Sequence, residues 1–186
     1  MALAITGTGN GSLNNLALSA NTGTIVDTGR AGGIVQVVQE TTTTTVQVAT
    51  ATFTDTGLST SITPNSSSNK ILVTVYQPFN MRRDVAGVGL GVRLVRDSTT
   101  IIEPPIVSAS GSPLTWWVSN SLSMWGTIQF TYLDSPATTS STTYKTAGRP
   151  YFTTNNGRVD FQRGSSEPSI YSNGSTSVIT LMEVVA

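Results

Sequence analysis

The alternation of apolar and polar side chains in the stretch TDTGLSTSITPNSSSNKILVTV predicts two β-strands joined by a loop. Leu58 and Ile62 alternate with polar neighbours, which is the period of two expected of a strand with one solvated face. The polar loop begins near Pro64 and is rich in turn-forming Asn and Ser. Apolar residues then occupy both faces of the second strand, which indicates that both are partly covered, and we expect Pro78 to end it.

A stricter alternation follows in AGVGLGVRLVRD, where Val88 and every second residue after it share one face. Glycines at positions 87, 89 and 91 share the other face and leave room for a large side chain. We expect that space to be filled by a Trp of the same chain, with a neighbouring subunit as the alternative. Asp97 and Ser98 are predicted to form the turn of a hairpin.

The remaining pattern adds short strands and no helical periodicity. Thr41 to Thr45 favour an extended strand edge or a loop, because Thr is β-branched. Asn155-Asn156-Gly157 is predicted to be a hairpin turn. Further strands are predicted at residues 34–38, 46–53 and 127–132, at Tyr144, and at 178–184. Nine to eleven strands at nearly even spacing predict an all-β protein, an antiparallel β-sandwich or jelly roll.

The first 33 residues differ from the rest in being rich in Gly, Asn and Thr, with irregularly spaced small apolar residues. A flexible tail and an extended arm that docks on another protein or another copy are both compatible with this composition, and the recurring apolar residues favour the arm. We therefore divide the chain into an N-terminal attachment arm, residues 1–33, and a jelly-roll knob domain, residues 34–186. The arm's docking residues are predicted to be Ile5, Leu13, Leu16, Leu18, Ile25 and Val26.

Charge argues against nucleic acid as a partner. Only 11% of residues are charged, and ten basic residues balance ten acidic ones. Arg82, Arg83, Arg93 and Arg96 lie close together along the chain, but aspartates interleave them, so we interpret them as a solvated strand face or as ion pairs between chains. We also expect no membrane partner and no secretory signal, because no long apolar run is present.

The chain contains no Cys and no His, which removes the usual thiolate site and the commonest general base and metal ligand. The acids show no metal-loop spacing, although Asp134, Asp160 and Glu183 have the freedom to converge in three dimensions. No serine has an evident activating base. We therefore expect no enzymatic activity, no catalytic or metal-binding residues and no cofactor.

Aromatic residues are the remaining candidates for a binding surface. Exposed rings on a β-scaffold can stack on sugars, whereas packing in the core or at a subunit interface is the more ordinary role. Adjacent tryptophans on one strand point to opposite faces, so at most one of the pair at 116 and 117 points into its own core. The candidates for a subunit interface or a glycan site are Trp116, Trp117, Trp125, Tyr151, Phe152 and Tyr171.

The chain contains, in this order, the segments FTDTGLSTSITPNSSSNKILVTV, VRLVRDSTTI, YLDSPATTSSTTYK and STSVITLMEVVA. Together these four segments resemble a module of tail-fibre and other virion proteins of bacteriophages, including cyanophages. The spacing of Leu133, Asp134, Pro136 and Tyr144 also resembles that of trimeric tumour-necrosis-factor-like jelly rolls. The opening LAITGTGNGSLNNLA is similar to the start of short phage structural proteins.

The resemblance implies a non-enzymatic virion protein that forms a homotrimeric knob on the particle surface after assembly in the host cytoplasm. The knob would decorate the capsid or form a head fibre, with the arm attached to phage capsid or tail proteins. The alternative is a tail-fibre tip that binds a host-cell receptor, with a surface glycan as the expected ligand. The short length and the absence of a shaft repeat favour decoration.

Overall fold

The computed structural model describes residues 31–103, 115–120, 122–163 and 175–186, and all regular structure within them is β-strand. The strands form two antiparallel sheets packed face to face, which confirms the expected all-β sandwich. The six predicted docking residues of the arm lie outside the described residues. The strands are β1 (Ile34–Thr42), β2 (Val46–Val48), β3 (Thr54–Ile62), β4 (Lys70–Arg82), β5 (Val88–Arg96), β6 (Thr99–Ile102), β7 (Thr115–Val118), β8 (Ser123–Asp134), β9 (Thr142–Pro150), β10 (Arg158–Phe161) and β11 (Ser177–Val184).

The first sheet is built around the long strand β4. One edge of β4 pairs with β8 from Ile71 to Arg82. The other edge pairs with β11 over residues 70–76 and with β10 over residues 79–82. Beyond these, β1 pairs with β11 and β2 pairs with β10. This sheet is thus four strands wide. Two of the four positions are each shared by two shorter strands, one by β11 and β10 and the other by β1 and β2.

The second sheet has the order β3, β9, β5, with β6 and β7 pairing with successive parts of the far edge of β5. From one strand position to the next, the chain nearly always crosses to the other sheet. The first and last described strands, β1 and β11, are neighbours in the first sheet. This is the strand order of a jelly roll.

The core lies between the sheets and follows directly from the alternation in the sequence. Ile71, Val73 and Val75 of β4 are fully buried, as are Leu90 and Leu94 of β5. Each such side chain contributes about 1.5–3 kcal/mol relative to an exposed position. The faces of β4 and β5 that the sequence marks as apolar are therefore the faces that hold the sandwich together.

The expectation that Pro78 ends its strand is wrong, because β4 continues through it to Arg82. β11 stops pairing with β4 at Tyr76 and β10 begins at Phe79, so Pro78 lies at the gap between them. The Pro78 carbonyl accepts a hydrogen bond from the Gln162 amide at 3.1 Å on this side. The amide and carbonyl of a strand residue point to the same edge, so the missing N–H of Pro78 faces the gap.

The turn at residues 155–157 exists, but the predicted hairpin does not. Both asparagines have positive φ, 54° and 57°, and Gly157 N donates to Thr154 O at 3.2 Å, as in a type I′ turn. The flanking strands β9 and β10 belong to different sheets, so the turn carries the chain across the sandwich. It packs on the loop after β4, where Asp84 N donates to Asn155 O at 2.9 Å.

Other predicted strands are present with changed bounds. β3 begins earlier than its alternation suggests, because a bulge at Gly57 (φ 82°) interrupts the period of two. β2 is only three residues long, and of the five threonines, Thr41 and Thr42 belong to β1 while residues 43–45 link it to β2. The hairpin through Asp97 and Ser98 is confirmed by the pairing of β5 with β6.

Candidate functional site

The outer face of the second sheet carries charged side chains in pairs. Lys145 Nζ lies 2.7 Å from the Asp55 carboxylate, and Arg93 pairs with Glu103. The Arg93 guanidinium also stacks on the ring of Phe53, 3.8 Å from its centre. Polar and ionic groups therefore cover this face, as expected of a surface that remains in water.

The outer face of the first sheet is different, because its outward positions on β1, β8 and β11, and on β4 at residues 72–78, carry no charge within the described residues. Val37, Tyr76 and Leu133 are 57%, 43% and 45% exposed. We name this surface the uncharged face. Its outward residues are Val37, Gln39, Thr41, Leu72, Thr74, Tyr76, Pro78, Thr127, Gln129, Thr131, Leu133, Val178, Thr180, Met182 and Val184.

Polar groups near the middle of the uncharged face are bonded within the face itself. Gln39 Nε2 donates to the Thr180 hydroxyl at 2.9 Å, and Thr180 is almost buried by its neighbours. Leu72 pairs across the strands with Leu133 and with Met182, which gives a contiguous apolar area at one end of β4. Contiguous exposed apolar area of this kind is typical of a protein-contact surface.

A cavity of about 550 Å³ opens at the other end of β4. Its wall contains three arginines and one aspartate, so it carries net positive charge in a chain whose net charge is zero. We name it the arginine pocket. It is lined by Asn80, Arg82, Arg83, Asp84, Leu122, Ser123 and Arg163.

Two of these arginines are fixed by the fold. Arg83 donates to Thr154 O at 3.2 Å and to Gly87 O at 3.2 Å, and its guanidinium lies 4.3 Å from the centre of the Phe152 ring. Arg163 Nη1 donates to the buried Asp160 carboxylate at 2.7 Å. Their positive charges are therefore held at defined places in the pocket wall.

The four arginines that lie close together in the sequence do not form one patch. Arg82 and Arg83 are at the arginine pocket, whereas Arg93 lies on the outer face of the second sheet. Arg96 donates to Asp134 at 2.7 Å within the same chain. Sequence reasoning missed Arg163, which joins Arg82 only because of a strand pairing distant along the chain, a contact with no local signal.

Asp134 is a buried carboxylate with two strong donors. Tyr144 Oη and Arg96 Nη1 each donate to Asp134 Oδ2 at 2.7 Å. Burial raises the pKa of the Tyr144 phenol well above its ordinary value, and the bond to the Asp134 carboxylate raises that pKa further. Tyr144 thus remains protonated and bonded through the neutral pH range.

Glu183 and Asp160 have separate partners. The Glu183 carboxylate, fully buried, accepts bonds from Asn65 N and Asn69 Nδ2, both at 2.7 Å. Asp160 accepts from Gln47 Nε2 at 2.9 Å as well as from Arg163. Asp134 and Glu183 flank Ile71 on opposite edges of β4, and Asp160 pairs with the other end of that strand. Each of the three carboxylates is thus engaged by internal donors.

A buried polar cluster that sequence reasoning missed joins the two sheets. Gln77 of the first sheet donates from Nε2 to Thr56 Oγ1 at 2.8 Å and accepts from Thr146 Oγ1 at 2.9 Å. The two hydroxyl oxygens of Thr56 and Thr146, both on the second sheet, are 2.5 Å apart. The continuing alternation of β4 was the available signal, since it puts Gln77 on the inward face. Satisfied groups of this kind fix how the sheets align.

The aromatic candidates are dispersed. Trp125 lies on β8 and is 41% exposed beside the arginine pocket, where it pairs with Asn80. Tyr151 and Phe152 are half-buried near the turn after β9. Tyr171 lies outside the described residues. Trp116 and Trp117 are paired in β7 with Leu90 and Gly89.

Within the described residues, no three His, Cys, Asp or Glu side chains gather as a metal site, and no helix has the length and apolarity to cross a bilayer. The fold defines a jelly-roll β-sandwich in which the second sheet has a charged outer face and the first sheet has an outer face with a large uncharged area. Neither protein-family models nor curated protein sequences give a match to this chain.

Proposed function

We propose that this chain is a non-enzymatic structural protein of a bacteriophage virion. It forms a trimeric knob displayed on the particle as capsid decoration or as a head fibre, with residues 1–33 as the attachment arm. The observation that supports the proposal best is the uncharged face, which leaves Leu133, Tyr76 and Val37 about half exposed. Association of copies through this face removes that area from water, with about 25 cal/mol gained per Å².

The charged face supports the same arrangement. Its ion pairs Lys145–Asp55 and Arg93–Glu103 suit the outside of an assembly, because they remain hydrated there. A trimer whose copies contact through the first sheet therefore presents the second sheet to solvent. This division of roles between two faces of one sandwich needs no catalytic residue.

The trimer is tested by placing one charge on each face. Leu133→Glu puts a carboxylate on the uncharged face, and we expect sedimentation velocity to show monomers where the wild-type chain is a trimer. Ser59→Glu, at an exposed position on the outer face of β3, is the matched control and should leave the trimer intact. A monomeric wild-type chain, or a trimer that survives Leu133→Glu, contradicts the proposal.

The tail-fibre tip is the second candidate, and the exposure of Trp125 beside the arginine pocket favours it. Immunogold electron microscopy of particles that contain the chain separates the two. Label spread over the whole head supports decoration, whereas label confined to the tail supports the receptor-binding tip.

A further inference from the structure

One guanidinium in the arginine pocket differs from the other two. Arg82 is exposed, and its guanidinium has no hydrogen-bond, ion-pair or ring partner among the residues that the structure describes. The next residue, Arg83, is held by Thr154, and Arg163 in the same pocket wall is held by Asp160. The pocket therefore combines two fixed positive charges with one whose donors have no partner within the described residues.

The charge of the pocket favours an anion. The single acid in the wall, Asp84, accepts a bond from Asn156 and so already has a donor. A guanidinium presents parallel N–H donors that match the two oxygens of a carboxylate, and such charge-assisted pairs are stronger than neutral ones. Arg82 is placed to make this contact, and Arg83 and Arg163 add to the positive potential around it.

The pocket also has an apolar side, which a small inorganic ion would not need. Leu122 lines it and is 55% exposed, and Trp125, paired with Asn80, is 41% exposed. Trp125 and Arg82 are diagonal neighbours on one sheet face, about 7–8 Å apart by strand geometry. A flat ring and a carboxylate binder at this spacing suit a ligand with an apolar C–H face and an acidic group.

We propose that the arginine pocket binds an acidic saccharide, with Arg82 pairing with the sugar carboxylate and Trp125 stacking on the sugar ring. The volume of about 550 Å³ lies within the range of small-molecule sites, about 300–1,000 Å³. The inference goes beyond the proposed function, since it concerns one pocket and holds for a protein on the head or on the tail. It also differs from the trimer test in its readout, which is ligand binding rather than sedimentation.

The experiment is isothermal titration calorimetry at low salt, in which the full chain is titrated separately with trigalacturonic acid, with its neutral methyl ester and with inorganic phosphate. We expect binding of the acid, no binding of the ester, and weaker binding of phosphate. Arg82→Gln should weaken binding of the acid about ten- to hundred-fold, as the loss of a charge-assisted bond implies. Lys70→Gln is the matched control, because it removes one positive charge from an exposed position at the other end of the same strand.

Trp125→Ala separates a saccharide site from a simple anion site. It should weaken binding of the acid and leave phosphate binding unchanged. The proposal is overturned if the wild-type chain does not bind the acid, if Arg82→Gln and Lys70→Gln have equal effects, or if Trp125→Ala has none. Unchanged melting temperatures show that each variant is folded.

Discussion

At the scale of residues, the buried acids show how a chain with few charges uses them. Asp134 is paired with a cation and a phenol, whereas Glu183 is held by the neutral donors Asn65 N and Asn69 Nδ2. A carboxylate removed from water without such donors would cost several kcal/mol. Both acids are the strand partners of Ile71, one on each edge of β4. Their hydrogen bonds therefore stabilise the same end of the sandwich, next to the loop before β4.

Tyr144→Phe removes one hydroxyl and keeps the buried ring. We expect the free energy of unfolding to fall by about 1.5–3 kcal/mol, because Asp134 loses a donor to a charged group. Urea denaturation at fixed protein concentration measures the change. Tyr132→Phe removes the hydroxyl of a partly exposed ring on β8, so it is the control and should change stability by less than about 0.5 kcal/mol. Equal losses in the two variants would contradict a special role for the Tyr144 hydroxyl.

The raised pKa of Tyr144 also predicts a loss of stability in alkali. Below about pH 10 the phenol is protonated in both the folded and the unfolded chain. Between that ordinary pKa and the raised pKa of the folded chain, only the unfolded chain loses the proton, so the free energy of unfolding falls as pH rises. This decline is at most about 1.4 kcal/mol per pH unit. The Tyr144→Phe variant should not show it, because Phe has no ionisable hydroxyl. The stability gap between wild type and variant should therefore narrow from pH 10 to pH 11, and a constant gap would refute the assignment.

At the scale of elements, small residues set how closely strands approach. A Cβ on Gly148 of β9 would stand 2.3 Å from Cζ of Phe161, a fully buried ring on the opposite sheet. Gly126 of β8 gives similar room to Phe79, its partner on β4. The glycines thus act as sockets for aromatic rings in the two sheets.

Gly148→Ala should destabilise the protein by about 1–3 kcal/mol, because the buried Phe161 ring must shift. Phe161→Leu alone should also destabilise it, by leaving space. In the double variant the smaller Leu accommodates the new methyl group. Its loss of stability should therefore be smaller than the sum of the two single losses, by a coupling energy of about 0.5–3 kcal/mol. Thermal or urea unfolding of the four proteins measures this cycle, and strict additivity would show that the two residues do not share the space.

The same elements show what the sequence could predict. Alternation along β4 and β5 revealed their inward faces, because side-chain direction in a strand depends only on position. The partner of each strand was not predictable in this way. The turn at Asn155 and Asn156 has the local geometry of a hairpin, yet the sheet that receives β10 is decided by distant contacts. The end of β4 was wrongly placed at Pro78, and the arginine pocket was missed, for the same reason. Both depend on where β10 and β11 pair with β4.

At the scale of the whole molecule, the sandwich has two faces and two ends with different properties. Apolar area is concentrated around Leu72 and Leu133 at one end of β4, and the arginine pocket lies beyond Arg82 at the other. About 33 Å of extended strand separates Leu72 from Arg82 at 3.3 Å per residue. Contact between copies at the first end and ligand binding at the second are therefore compatible in one assembly.

The proposed role of residues 1–33 as an attachment arm gives a prediction about the whole particle. Gly32 N donates to Val185 O at 2.8 Å and Val185 N donates to Gly33 O at 2.9 Å, so the pairing of β1 with β11 extends to residue 32. Deleting residues 1–30 preserves these bonds and every described strand. We expect the truncated chain to melt at the same temperature as the full chain and to sediment as the same trimer, because the uncharged face is retained.

The truncated trimer should nevertheless fail to join particles, since the predicted docking side chains of the arm are removed. Purified particles that lack the protein are incubated with the full or the truncated chain, and the bound protein is quantified after pelleting. The full chain carrying Ser59→Glu is the control, because its knob domain is altered while residues 1–33 are retained. Equal incorporation of the truncated and full chains would show that the knob, and not the arm, makes the attachment. A truncated chain that sediments as a monomer would instead assign the arm to the contact between copies.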